Sequence, residues 1–182
     1  MRRSNPTRRS SVRWRRRAKS AVLEEQALDT GRHDRAGFTC GVRALDEYLR
    51  RFAQQHRRKG VSTVYVLVDS EAPSLILGYY TLSAAQIDIA SLRDTERIKL
   101  PRFPVPCVRM GRLASRADRR GEGLGRHLMG CAVARCLVAS EQVGAFALVV
   151  DAKDVAAKSF YEHYGFIPCS AAPMMLYLPL HR

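Results

Sequence analysis

The chain has little of what would mark a membrane, secreted or metal-binding protein. No apolar run reaches the ~18–20 residues that a bilayer-spanning helix needs, so membrane insertion is not expected. The five cysteines, Cys40, Cys107, Cys131, Cys136 and Cys169, contain no C-x-x-C pair and no even framework. That argues against a zinc ribbon or a disulfide scaffold, gives no metal site, and places the chain in a reducing, cytoplasmic compartment. Acidic residues are missing from positions 1–19. There Arg2, Arg3, Arg8, Arg9, Arg13, Arg15, Arg16, Arg17 and Lys19 supply nine of the fourteen net positive charges. This Arg- and Ser-rich stretch has almost no apolar residues to offset its ordering entropy, and is expected to be disordered. It lacks the apolar core of a secretory signal. A nucleic-acid-binding arm, an organelle transit peptide and a plain solvated extension remain open for it.

What is present suits one ordinary domain over residues 20–182. The chain has 182 residues, 46% of them hydrophobic and 26% charged, enough for one sizeable core and too few for two. An edge strand is expected near 21–28. An amphipathic helix follows, with Val42, Leu45, Leu49 and Phe52 at helical spacing and Arg43, Asp46, Glu47 and Arg50 between them. It runs to about Gln55. Residues 63–68 are β-branched and aromatic and predict a strand. A turn over 69–74 leads to a second strand from Leu75 past Leu82, making an antiparallel hairpin. Residues 90–106, rich in Arg and Pro, read as a loop with one helical turn near Ser91. A strand over 105–114, a helix over 123–140, a strand over 145–150, a helix over 155–164 and a last strand over 174–178 complete the pattern. The fold class is α/β: a mixed central sheet with flanking helices.

The segment Arg119-Arg120-Gly121-Glu122-Gly123-Leu124-Gly125 lies between a strand and a helix. Glycines permit a tight turn and close backbone approach. A helix N-terminus offers unpaired N–H groups and a partial positive charge, so the segment forms a cradle for pyrophosphate. Gly125 is followed by Arg126-His127, which is not a P-loop. Arg126 also takes the third glycine's place in a dinucleotide-binding G-x-G-x-x-G. Residues 120–125 resemble instead the Arg/Gln-x-x-Gly-x-Gly/Ala loop of GCN5-related N-acetyltransferases (GNAT). Downstream, Ala157-Lys158-Ser159-Phe160-Tyr161-Glu162-His163-Tyr164-Gly165-Phe166 resembles the A-x-x-F-Y-x-x-x-G-F signature of that fold. The order Phe38-Thr39-Cys40-Gly41, Leu45-Asp46-Glu47-Tyr48-Leu49, Thr63 to Val66, Gly78 to Leu82 and Met110-Gly111-Arg112-Leu113-Ala114 is similar to GNAT toxins of bacterial type II toxin–antitoxin modules. The resemblance spans about His33 to Leu180. Ser115-Arg116 departs from it, standing where Val-Asp is usual, and the basic tail is extra.

The resemblance implies a single GNAT domain with a splayed sheet and acetyl-coenzyme A (acetyl-CoA) in the cleft. Leu113, Ala114 and Ser115 would hold the pantetheine arm and polarise the thioester carbonyl. Arg120, Gly121, Glu122, Gly123, Leu124, Gly125 and Arg126 would hold the pyrophosphate, with Ser159 a further cofactor contact. Tyr161 would protonate the departing thiolate; an ordinary phenol pKa of about 10 suits a general acid. No strong base is required, because an α-amine titrates near ~8 and an aminoacyl ester lower. His127 and His163 are lone histidines and the cysteines look structural. The implied acceptor is the amino group of aminoacyl-tRNA, and the implied partners are a ribbon-helix-helix antitoxin and a second copy of the chain. Basic clusters at Arg50, Arg51, Arg57, Arg58 and Lys59, and at Arg93, Arg97, Lys99 and Arg102, agree with phosphate binding. Two other functions stay open: a GNAT enzyme acting on protein or small-molecule amines, and a non-catalytic nucleic-acid-binding domain.

Overall fold

The computed structural model of the chain describes residues 22–181. The basic segment 1–19, expected to be disordered, lies outside them. Seven strands form one sheet in the order β1-β2-β3-β4-β5-β7-β6. The strands are β1 (Leu23–Ala27), β2 (Thr63–Asp69), β3 (Ala72–Ile87), β4 (Val105–Ser115), β5 (Ala147–Asp151), β6 (Ile167–Pro168) and β7 (Met175–Pro179). Every neighbouring pair is antiparallel except β4–β5. That parallel step needs a crossover, supplied by the helix α4 (Leu124–Val143). The remaining helices are α1 (Arg43–Glu47), α2 (Ala53–Arg58), α3 (Asp94–Arg97) and α5 (Val155–His163).

Alternation along the strands sends side chains to two layers. On one face Leu77, Tyr80, Leu82, Met110, Leu148 and Val150 pack under Leu124, Leu128, Ala132 and Cys136 of α4, and Phe160 and Tyr161 of α5 join them. The contact is tight at Gly78: a Cβ there would stand 2.6 Å from Leu128 Cδ1 and 2.9 Å from the Ala114 carbonyl oxygen. The opposite face carries two groups. Phe38, Tyr48, Leu49 and Ala53 cover Val64, Val66, Tyr79 and Ala114 at one end. Leu92, with Ile89 and Leu100, covers Ile87, Cys107, Val149 and Tyr177 at the other.

The strand and helix expectations hold with shifts that have local causes. The first helix is divided: a π-helical turn, Tyr48–Phe52, links α1 to α2, and the run continues to Arg58. Asp46 and Tyr48 are buried, whereas helical spacing puts Asp46 among the polar positions. The carboxylate is drawn in because it accepts from Thr39 Oγ1 (2.8 Å) and Cys40 N (2.9 Å). Strand β3 starts at Ala72, inside the expected turn. Pro73 is tolerated there because pairing with β4 begins only at Gly78. Strand β6 is two residues long, too short for any alternation to reveal.

Strand β4 is irregular at one point. Thr81 pairs with Arg112 and Leu82 with Met110, so Gly111 is an extra residue in β4, a β-bulge. It flips the alternation: Met110 before it and Leu113 after it share the α4 face. Arg109 and Arg112, three positions apart, share the other.

Candidate active site

β4 and β5 part company beyond the bulge. Their ladder runs only from Cys107–Ala147 to Met110–Val150. From Gly111 to Ser115, β4 keeps β3 on one side and faces a gap on the other. Backbone N–H and C=O groups alternate between a strand's two edges, so this stretch presents unpaired donors and acceptors to the gap. At the apex, Arg109 Nη1 donates to Asp151 Oδ2 and staples the two strands where the ladder ends.

The gap opens into a cleft of about 490 Å³. One wall is Gly111, Arg112, Leu113, Ala114 and Ser115. The facing wall comes from Asp151, the turn after β5 and Ala157, Phe160 and Tyr161 of α5, and Cys40, Val42 and Leu45 close one side. Asp154 caps α5 by accepting from Ala157 N at 2.7 Å, which fixes the first turn of that wall.

The glycine loop sits at the mouth, between β4 and α4. Gly121 (φ +86°) and Gly123 (φ +76°) adopt the left-handed conformation, and no atom lies within 4 Å of a Cβ built on either. The backbone is therefore open to a ligand at the N-terminus of a 20-residue helix. Glu122, the one acid of the loop, is held by Arg119 at 2.6 Å, and that contact lowers its pKa. Arg120 lines the cleft and reaches the Cys40 carbonyl at a long 3.4 Å. The loop carrying Cys40 is anchored in turn, because Ala117 N donates to Thr39 O (3.0 Å) and the Asp46 carboxylate holds Thr39 and Cys40.

Tyr161 faces the cleft with its ring wedged between Phe160 and Phe166, at centroid distances of 5.5 Å to each. Burial pushes its pKa up, and the Asp151 carboxylate adds to the effect. The phenol stays protonated at neutral pH and is a donor rather than a base. Thiols shielded in this chain are raised too, Cys107 and Cys169 to about 11, chiefly by burial.

Six of the twelve site residues expected from sequence line the cleft: Leu113, Ala114, Ser115, Arg120, Gly125 and Tyr161. Gly121, Glu122, Gly123 and Arg126 stand at its mouth on or beside the loop, exposed. Leu124 is 4% exposed and belongs to the core under α4. Ser159 is exposed on α5 and not part of the lining. His127 and His163 are exposed as well. The sequence reading missed Asp151 and Asp154, which lie at the end of β5 and the start of α5, and gave Arg112 no role. The bulge that turns Arg112 into the cleft has no signature beyond the Gly111 before it.

Residues 61–168 match the family described as an acetyltransferase (GNAT) domain. The chain belongs to that family. A tRNA-acetylating toxin of Mycobacterium tuberculosis is 32% identical over 80% of this GNAT chain and 85% of its own length. Among solved structures, AtaT complexed with acetyl-methionyl-tRNAfMet superposes with a TM-score of 0.81 at 30% identity, covering 87% of this chain and 95% of that one. A Tyr-to-Phe mutant of AtaT bound to the C-terminus of the antitoxin AtaR and acetyl-CoA superposes at 0.71 and 28% identity, covering 87% and 94%. The split between β4 and β5, the loop before α4 and the tyrosine of α5 thus belong to an acetyltransferase fold, and the donor expected from sequence is the one in that neighbour's name. Among the described residues no helix is long and apolar enough to cross a membrane.

Proposed function

We propose that this GNAT chain is a toxin that moves an acetyl group from acetyl-CoA to the amino group of an aminoacyl-tRNA, and so blocks translation. The observation that carries the reading is the gap itself: a strand with five residues of open edge, a glycine loop at one end and a protonated tyrosine in its wall. The open edge of Gly111–Ser115 binds the pantetheine amides and gives the thioester oxygen a backbone donor. Arg120 and the amides of Gly121–Gly125 hold the pyrophosphate, with Arg126 beside them. The neutral amine attacks the carbonyl directly, Tyr161 gives its proton to the sulfur as the C–S bond breaks, and the proton shed by the nitrogen returns through water to restore the phenol. No strong base of the chain is needed, because an aminoacyl ester's amine titrates below the ~8 of a free α-amine and an appreciable fraction is neutral near pH 7.

Names borne by the relatives support the acceptor, and their antitoxins support a neutralising partner. We extend this to a ribbon-helix-helix antitoxin, a homodimeric toxin and a cytoplasmic site of action.

The test is single-turnover acetylation of a bulk charged tRNA pool by wild type and Tyr161→Phe, with acetyl-CoA binding measured alongside. The variant loses one oxygen from a ring that is otherwise packing, so folding and donor binding stay near wild type. General acid catalysis is typically worth ~10²–10⁴-fold, and the rate falls by that order. Acetylation at near wild-type rate by a folded Tyr161→Phe refutes the role of Tyr161. A wild type that acetylates no charged tRNA, yet acetylates protein or small amines, refutes the acceptor.

A further inference from the structure

The two faces of the sheet differ at the cleft. The glycine loop, α4 and Tyr161 belong to one face, and Arg112 stands on the other. Its guanidinium carbon lies 3.6 Å from the centroid of the Tyr48 ring. That ring is a built platform: Tyr48 is 3% exposed, its hydroxyl pairs with Ser62 Oγ at 3.0 Å, and it lies stacked on Tyr79. Among the described residues no carboxylate forms an ion pair with Arg112. A guanidinium held this close over an aromatic ring by cation–π attraction, and paired with no carboxylate, has N–H groups left to offer, and arginine binds phosphate through two of them at once.

The surroundings point the same way. The helix carrying Tyr48 also carries Arg50, Arg51, Arg57 and Arg58, all exposed, and the segment with Arg93 and Arg97 covers the other end of the same face. A polyanion drawn to that face meets Arg112 last, at the wall of the cleft. We infer that Arg112 binds the acceptor: it grips the phosphodiester on the 5′ side of the terminal, aminoacylated nucleoside. The ester's amine is then one ribose further on, aimed through the gap at a thioester held from the opposite face. The inference rests on the aminoacyl-tRNA reading above and adds to it a residue and a phosphate.

The experiment compares two acceptors bearing the same amino acid, chosen as one that wild type accepts from the charged pool. One is charged tRNA; the other is the 3′-aminoacyl ester of adenosine, which has no phosphate. Arg112→Gln removes the charge, and Arg112→Lys keeps it without the planar fork. Expected for Arg112→Gln are a KM for charged tRNA raised about 10- to 100-fold, a kcat near wild type, and unchanged kinetics on the nucleoside ester. Arg112→Lys recovers part of the loss, and acetyl-CoA affinity is the same in all three proteins. Equal losses on both acceptors, or weakened acetyl-CoA binding, overturn the assignment. So does a wild type that uses the two acceptors equally well. A wild type that acetylates neither removes the acceptor reading and this inference with it, whereas tRNA acetylation that survives Arg112→Gln unchanged removes only the inference.

Discussion

Replacing Asp46 by alanine tests whether the loop beside the cleft is held by a single buried carboxylate. Asp46 is 7% exposed. It accepts from Thr39 Oγ1 at 2.8 Å and from Cys40 N at 2.9 Å. In the alanine variant the Thr39 hydroxyl, on an exposed residue, turns to water. The Cys40 amide has no such recourse, and a buried donor left alone costs about 1–3 kcal/mol. With the lost charge-assisted bond to Thr39, the total is roughly 2–4 kcal/mol, a large share of the 5–15 kcal/mol typical of a domain. For a chain of this length that lowers the melting temperature by roughly 5–15 °C. Asp46→Asn keeps a carbonyl for Cys40 and an amide that can donate to Thr39 Oγ1, so it costs much less. The pH dependence has a definite sign. Burial raises the Asp46 pKa, but the bonds from Cys40 and Thr39 outweigh it and the net shift is downward. A carboxylate depressed by folding contributes stability above its ordinary value of 3.8, and that contribution fades as pH falls through the lower folded value. Thermal unfolding followed by circular dichroism at pH 7 and at pH 3 reads both effects. An Asp46→Ala protein melting within about 2 °C of wild type at pH 7 would refute the argument.

Three further substitutions probe glycines, one at the donor site and two in the packing of α4. Gly123→Asp puts a carboxylate where the pyrophosphate is to bind; its Cβ meets no atom within 4 Å, and the left-handed φ of +76° costs about 1–2 kcal/mol. The variant therefore folds but loses acetyl-CoA affinity in calorimetry, and retained affinity would move the pyrophosphate elsewhere. Gly78→Ala drives a methyl to 2.6 Å from Leu128 Cδ1 and 2.9 Å from the Ala114 carbonyl, so stability falls by about 1–3 kcal/mol in urea unfolding, while Gly130→Ala, with nothing within 4 Å, does not destabilise the helix.

Much of the fold was legible because its periodicities are strong. The β-branched run of β2, the four-residue spacing of α4 and the glycines at the strand-to-helix junction each specify local structure without help from the rest of the chain. The glycine loop and Tyr161 were legible for the same reason: short motifs fixed by backbone geometry and helix ends. What escaped depends on contacts distant in sequence. Asp46 looks like a surface residue of a helix until Thr39 and Cys40 come round to it. Asp151 is an ordinary strand-terminal acid until Arg109, 42 residues earlier, is brought beside it by the parallel ladder. Arg112 occupies an unremarkable place in a strand pattern, and only the extra residue at Gly111 decides which layer it joins.

An unpaired strand edge is normally a hazard, since any other extended chain can dock on it and begin an aggregate. The open stretch Gly111–Ser115 escapes that fate by its position. It lies in the fourth of seven strands, and the neighbour on its open side has veered away rather than ended the sheet. A foreign strand arriving from solution finds the outer edges of β1 and β6, not this one. What docks on the open edge therefore has to fit a walled cleft of about 490 Å³ in the middle of the sheet, rather than add a strand to its rim.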